Sequence, residues 1–413
     1  MTEPDDRLGA TLSDRERHDL LVRHTVTRLL SPVAAELRDP SVEEILINGP
    51  DDVYVVRAGV NRKIEAARFD SEEELASAAR AIAQLSGKRL TPLEPAVEAR
   101  LPLPDAVDGE GRDLPQGDAR VQIVQAPASR NGLALAIRKY LKSVTSIDSL
   151  VANGDLTEEA ADFLRDCVDI RKNVIISGGT GTGKTTLLGA LSESFAATDR
   201  VVVIEDVKEL QIRRPHVLYL EAQKPDRFGR GGITIRELFR ATLRLRPDRI
   251  LVGECRGGEA IDMIQAMTSG HTGSLSTVHA TTPYDAMARL ETMALMADVA
   301  VPMVALRRQL ASAVDLVVQI ARTRSGGRHV ASIAEIVGLD AAGNYEIRTL
   351  FERRRGDGAR ALRWTGERPT FLAELIHETS PAPSPSREGW WRRPETTETT
   401  SGRSAVAKNE GMI

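Results

Sequence analysis

Cysteine is nearly absent: Cys167 and Cys255 are the only two, and they lie far apart in the chain. That excludes a disulfide framework and favours a reducing compartment, with the cytoplasm as the default. Aromatic residues make up 4% of the sequence, which leaves little material for a base-stacking platform on single-stranded nucleic acid. Neither sign of charge dominates, since 55 Lys+Arg stand against 59 Asp+Glu for a net charge of -4. There is accordingly no overall pull toward nucleic acid or anionic lipid, and a polymer partner would be met through a local patch. No apolar run reaches the roughly 18 residues that span a bilayer. Residues 1–17 are charged and lack the apolar stretch of a signal peptide. Direct membrane insertion is therefore not expected, and no internal repeat of fixed period is present.

The 413 residues exceed one comfortable hydrophobic core, so two packed domains with appendages are expected. Residues 13–30 carry apolar positions at helical spacing behind Ser13, a possible N-cap, and residues 1–35 read as an N-terminal helical segment. From Glu43 the text EEILINGPDDVYVV reads as two short strands joined at Asn48-Gly49-Pro50. SEEELASAARAIAQLSG then reads as a helix ending at a glycine. The stretch 101–118, dense in Pro, Gly and Asp, suggests a surface loop, while VQIVQA and LALAIRKY look like further strands. These make an N-terminal α/β domain over 36–142. A linker after Tyr140 leads into a second domain over 143–352, where strand-like NVIISG, VVVIED and RILVGE alternate with helical text. That alternation is expected of a parallel sheet with crossover helices. Residues 353–379 read as an extension with a short strand and a helix, and 380–413 as a disordered tail rich in Pro, Ser, Thr and charge. Trp390 and Trp391 in that tail are either a docking spot or chance tryptophans in an unstructured end.

Gly178-Gly179-Thr180-Gly181-Thr182-Gly183-Lys184-Thr185 fits the phosphate-loop pattern, and it lies between a strand and a helix as that pattern requires. The glycines let backbone N–H groups point at phosphates, and the following helix N-terminus favours an anion. Lys184 adds a full charge, Thr185 offers a hydroxyl to Mg²⁺, and Thr186 completes the nucleotide-binding run. ATP with Mg²⁺ is the implied ligand.

RILVGE sets Glu254 at the end of an apolar strand, where its carboxylate would reach the metal and polarise the attacking water. The alternative is a cap on the helix that begins near Gly257. VVVIEDVKEL supplies Glu205, Asp206 and Glu209 in the same manner, and at least one of them should act on Mg²⁺ or its waters. GHTGSLSTVHA places His271 and His279 in a segment with little charge, where each needs a hydrogen-bond partner or a role such as sensing a phosphate. Zinc is the competing chemistry, but no Cys or further His lies at ligand spacing. Cys255 reads as packing. Arg236, Arg240, Arg244, Arg246, Arg249 and Arg256 surround the second carboxylate strand, either as a solvated face or with one of them serving a phosphate. In LALAIRKY, Leu133, Leu135 and Ile137 share one strand face, so Arg138 points the other way, and it is a candidate for reaching bound phosphates when the domains close.

GGTGTGKTT, IEDVKELQ, RPDRILVGECRGGEA and SGHTGSLSTVHA, in that order, resemble the Walker A, Asp box, Walker B and His box of the type II/IV secretion traffic ATPases. DPSVEEILINGP, LAIRKY, LRLRPDRILVGE, RLETMALMA and GERPTFLAEL look like the branch that powers tight-adherence (Flp-type) pili, the CpaF/TadA group. The resemblance spans roughly residues 36–377. It implies a homohexameric ring at the inner face of the cytoplasmic membrane, docked on inner-membrane platform proteins, with an N-terminal domain hinged onto a RecA-like domain. By that resemblance Lys184 and Thr185 bind phosphate and Mg²⁺, Glu205 and Glu209 belong to the Asp box, Glu254 is the Walker B acid, and His271 and His279 form the His box. Two departures stand out: the 101–118 loop is longer than in most relatives, and Thr281 replaces an Asn found in many. The expected function is an ATP-hydrolysing motor for pilus assembly. A conjugation or type IV secretion ATPase, and a nucleotide-dependent scaffold without turnover, are the alternatives.

Overall fold

The computed structural model describes residues 28–57, 59–107, 113–114, 117–139, 146–225, 229–323, 327–353 and 362–378. Most of the leading helix, part of the 101–118 stretch and the whole 380–413 tail with Trp390 and Trp391 fall outside them.

The first sheet is antiparallel throughout, in the order Val60–Lys63, Val53–Arg57, Val42–Ile47, Ala134–Lys139, Asp118–Val124, Ala96–Pro102. The strands Ala96–Pro102, Asp118–Val124 and Ala134–Lys139 alternate buried and open positions, so that Leu135 and Ile137 point into the core while Arg138 points out. The turn at Asn48-Gly49-Pro50 is where the sequence sets it, and Gly49 has a φ of 129° that suits glycine. The helix Glu72–Leu85 buries Leu75, Ala78, Ala79 and Ile82 at helical spacing, and Ser71 caps it by accepting the Glu74 N–H at 3.1 Å.

Two sequence expectations need correction. The stretch 101–118 is not one loop: the strand Ala96–Pro102 runs into it with Leu101 and Leu103 buried, and Ala106–Val107 pairs with Asp113–Leu114. Pro102 is tolerated because Ala96–Pro102 is an edge strand, which needs no ladder donor on its open side. The linker expected after Tyr140 contains the helix Ile147–Ala152 and the start of the helix Glu158–Asp169, the first capped by Ser146, which accepts the Ser149 N–H at 3.0 Å. Their Ile147, Leu150, Phe163, Leu164 and Val168 enter the core of the second domain.

Among the described residues the second sheet has nine strands. Val217–Glu221, Val201–Glu205, Arg249–Val252, Leu275–Val278, Val174–Gly178 and Leu316–Arg322 run parallel. Arg328–Leu339, Tyr345–Glu352 and Arg363–Trp364 then continue it antiparallel. The four strands at its centre are buried at every position, as expected where helices cover both faces. The chain is thus an α/β protein with an N-terminal domain followed by a P-loop domain whose sheet is mainly parallel.

Among the described residues the buried apolar side chains form three clusters. One draws only on residues between Leu30 and Ile137, and the other two only on residues between Ile147 and Leu375. Across the domain boundary the described ion pairs are Arg328 to Glu43 at 2.6 Å, Arg100 to Glu221 at 3.6 Å, and Lys224 to Glu98. Among the described residues, no helix is long and apolar enough to cross a membrane.

Candidate functional site

Because six strands are parallel, their C-terminal ends gather chemistry on one edge of the sheet, the edge where α/β proteins bind ligands. Val174–Gly178 delivers the phosphate loop and the helix Lys184–Leu191 follows it directly. Gly181 and Gly183 have φ values of 66° and 95°, open only to glycine at low cost. Gly178 is glycine for a second reason: a Cβ there would stand 2.6 Å from Thr182 Oγ1 and 2.7 Å from the Ile320 carbonyl oxygen.

Lys184 is buried, and its Nζ donates to the carbonyls of Gly178 at 3.1 Å and Gly179 at 3.0 Å. Burial disfavours its charge and lowers its pKa to about 8, with Glu254 opposing. Its Nζ also lies 3.2 Å from His279 Nδ1, and His279 Nε2 lies 2.7 Å from Glu254 Oε1. The other Glu254 oxygen takes a hydrogen bond from Arg256 at 2.6 Å, and Arg256 also reaches Asp206 at 3.3 Å. Burial and the nearby Lys184 charge hold the His279 pKa below its usual value. Thr185 donates to Glu209 at 3.2 Å.

Lys184, Thr185, Glu209, Glu254, Arg256 and His279 line one cleft of about 750 Å³. That volume is in the range of small-ligand pockets. Thr180, Gly181, Thr182, Gly183 and Thr186 line it as well, and its roof is the N-terminal domain, including Arg138. Arg138 lies 3.6 Å from Glu44 on the neighbouring strand. A hydroxyl and two carboxylates around the loop are hard oxygen groups suited to Mg²⁺ beside phosphate.

Other singled-out residues are placed elsewhere. Glu205 is buried beneath the cleft rather than in its lining; one oxygen accepts the N–H groups of Glu209 at 2.9 Å and Leu210 at 2.8 Å. Burial raises its pKa to about 7. Its evident work is to set the segment that carries Glu209. His271 precedes the strand Leu275–Val278 and His279 follows it, so the full length of that strand, roughly 13 Å, lies between them. His271 lies at the far edge of the sheet, with its Nδ1 buried and without a partner among the described residues. Glu254 does not cap the helix Glu259–Thr268, whose N-cap Gly258 has no side-chain cap; Glu259 instead accepts the N–H groups of Arg256 at 2.6 Å and Gly257 at 2.9 Å in the segment leading into it. Cys167 and Cys255 are free and buried, their thiol pKa values pushed up by burial.

Of the six arginines, Arg236 and Arg240 pair with Asp262 at 2.7 and 3.1 Å, and Arg249 is buried against Asp199 at 2.8 Å. Arg244 and Arg246 are exposed. Only Arg256 reaches the cleft. Sequence reasoning missed Arg120, Arg322, Arg328 and Glu43 in its lining. Arg322 had a readable signal, since it ends an apolar strand much as Glu254 follows one.

Residues 28–353 match the description of the type II/IV secretion system protein. The chain belongs to this family of secretion ATPases. A protein of Mycobacterium tuberculosis, provisionally named for conjugal transfer, is 34% identical over 77% of this chain and 88% of its own. The conjugal transfer protein TrbB of Rhizobium radiobacter is 30% identical over 80% of this chain and 94% of its own. The type IV secretion system protein PtlH of Bordetella pertussis is 34% identical over 73% and 92%. The pilus retraction motor PilT, solved with bound ADP, shares the fold of this secretion ATPase at a TM-score of 0.54, with 19% identity over 77% of this chain and 84% of that one.

Proposed function

We propose that this secretion ATPase hydrolyses ATP to ADP and phosphate with Mg²⁺ in the cleft between its two domains, and converts the accompanying domain closure into movement of a secretion or pilus machine. The observation that carries the reading is the continuous set Lys184, His279, Glu254 and Arg256 beside the phosphate loop. Lys184, released from its loop carbonyls, meets the β- and γ-phosphates. Glu254 polarises the attacking water, and Arg256 and His279 fix its two oxygens. Thr185 and Glu209 stand where Mg²⁺ would be held, with Glu205 ordering Glu209 from below. The metal, when bound, neutralises charge on the phosphates. Arg138 approaches from the N-terminal domain and contributes positive charge only when that domain is closed. His271, at the other edge of the sheet, fits contact with a neighbouring subunit.

The working form under this proposal is a homohexamer at the cytoplasmic face of the inner membrane, recruited by platform proteins. Its cargo on the motif text is a tight-adherence (Flp-type) pilus. A conjugation or type IV secretion role is the second reading, favoured by the names of the relatives described above. Phosphate release by the purified protein with Mg-ATP tests the enzyme; its absence from a nucleotide-binding protein would leave the scaffold reading instead. The genes adjacent to this one separate pilus from conjugation.

A further inference from the structure

Arg322 ends the strand Leu316–Arg322, which lies beside the strand leading into the phosphate loop. Its guanidinium leaves the sheet edge and grips the loop: Nε and Nη2 both donate to the Gly181 carbonyl, at 3.0 and 2.6 Å. On its other side it meets the N-terminal domain at Gly59, whose φ is 74°, and a Cβ on Gly59 would run into Nη1. A Cβ on Gly181 would likewise stand 2.6 Å from Nη2. Two glycines from two domains thus wall a slot that one guanidinium fills.

We propose that Arg322 is a positioning residue that presets the phosphate loop and ties its conformation to the placement of the N-terminal domain. A trans peptide holds its C=O and N–H on opposite sides of one plane. Drawing the Gly181 carbonyl toward Arg322 therefore turns the Thr182 N–H away from it, free to meet a phosphate oxygen. A cation on the carbonyl also polarises that peptide and strengthens its N–H as a donor. The planar fork of arginine supplies two donors to one oxygen from a fixed direction, which a lysine ammonium does not. When the N-terminal domain swings away, the Gly59 wall leaves with it, the Arg322 guanidinium is no longer held against the loop and the loop loses part of its restraint. Nucleotide affinity then follows domain position through one side chain. This rests on the nucleotide reading of the cleft.

The test is titration of a fluorescent ATP analogue with Mg²⁺ into the full chain, with steady-state phosphate release measured alongside. Arg322 is exposed, so Arg322→Ala should fold, and thermal melting checks each variant. The expected result is binding weaker by roughly five- to tenfold, the worth of about 1 kcal/mol for a partly exposed hydrogen-bonded group. KM should rise by a similar factor with little change in kcat, and Arg322→Lys should recover part of the loss. Gly59→Asn keeps a residue that tolerates the left-handed turn but puts a Cβ into the slot. It should weaken binding alone and add nothing in the Arg322→Ala background. Wild-type affinity in Arg322→Ala, or losses that add in the double variant, overturns the proposal. Lys184→Ala is the control: lost binding there with unaffected Arg322→Ala sinks only the role of Arg322, whereas wild-type binding by Lys184→Ala sinks the nucleotide site itself.

Discussion

Glu254 and His279 meet at 2.7 Å, carboxylate Oε1 to imidazole Nε2, although each stands beyond the end of a different strand. The two strands, Arg249–Val252 and Leu275–Val278, are parallel neighbours, so their exits lie side by side. With Lys184 facing the other ring nitrogen at 3.2 Å, the imidazole bridges an ammonium and a carboxylate. The network assigns it one acceptor nitrogen, Nδ1, and one donor, Nε2, which is the neutral form that its lowered pKa also favours.

Removing the ammonium of Lys184 should abolish ATP turnover and weaken nucleotide binding, because no other side chain in the loop carries charge. Phosphate release and analogue titration on Lys184→Ala measure both. Hydrolysis at the wild-type rate would mean that the cleft is not the catalytic site.

Glu254→Gln keeps the shape but not the basicity of the side chain. Binding should persist while kcat falls by about 10²- to 10⁴-fold, the usual worth of a positioned general base. A variant that cannot bind nucleotide at all would make Glu254 a structural partner of Arg256 and His279 instead.

Arg138 lies in the cleft roof with its guanidinium near Glu44, a contact it can give up for a phosphate. If it closes onto the bound nucleotide, Arg138→Ala should melt like the wild type, since its side chain is 45% exposed, yet lose about a hundredfold in kcat. Unchanged turnover would leave it as an ordinary strand-end arginine.

Lys139, the next residue, points the opposite way into the N-terminal core and donates to the carbonyls of Asp39 at 2.7 Å and Glu36 at 3.3 Å. Burial lowers its pKa to about 8, with Asp39 opposing and Arg57 adding to the shift. Its folded pKa thus lies below the unfolded one of about 10.4. Between those values the unfolded chain binds the extra proton, so this lysine makes stability rise as pH increases from about 8 to 10. Denaturant melts of wild type and Lys139→Met across that range should show the wild type gaining on the variant. A constant difference would refute the buried-charge account.

The elements that position the site were readable where one residue pattern admits one structure. The phosphate loop needs its glycines, and the central strands are unbroken apolar runs whose ends mark a single edge. The alternation in LALAIRKY sets Arg138 on the face opposite Ile137, as the strand shows. The helix Glu158–Asp169 is legible too, since Ala160, Phe163, Leu164, Cys167 and Val168 recur at helical spacing between its charges, whereas Ile147–Ala152 spans only six residues, too few for a periodicity to stand out from linker text. Glu205 and Glu209 are alike in sequence; the turn of the chain after Val201–Glu205 decides which carboxylate faces the loop hydroxyl and which faces backbone. Likewise His271 and His279 differ only in the end of the strand on which they fall. Contacts between domains, such as Glu43 with Arg328 at 2.6 Å, join residues whose relation no local pattern encodes.

The buried cores stop at the domain boundary, where the described ion pairs take over. Apolar hydration is what gives unfolding its large heat-capacity change. If the cleft opens as proposed, it should wet charges rather than buried core, so that motion should be nearly silent in heat capacity. Its midpoint should drift with ionic strength far more than with temperature.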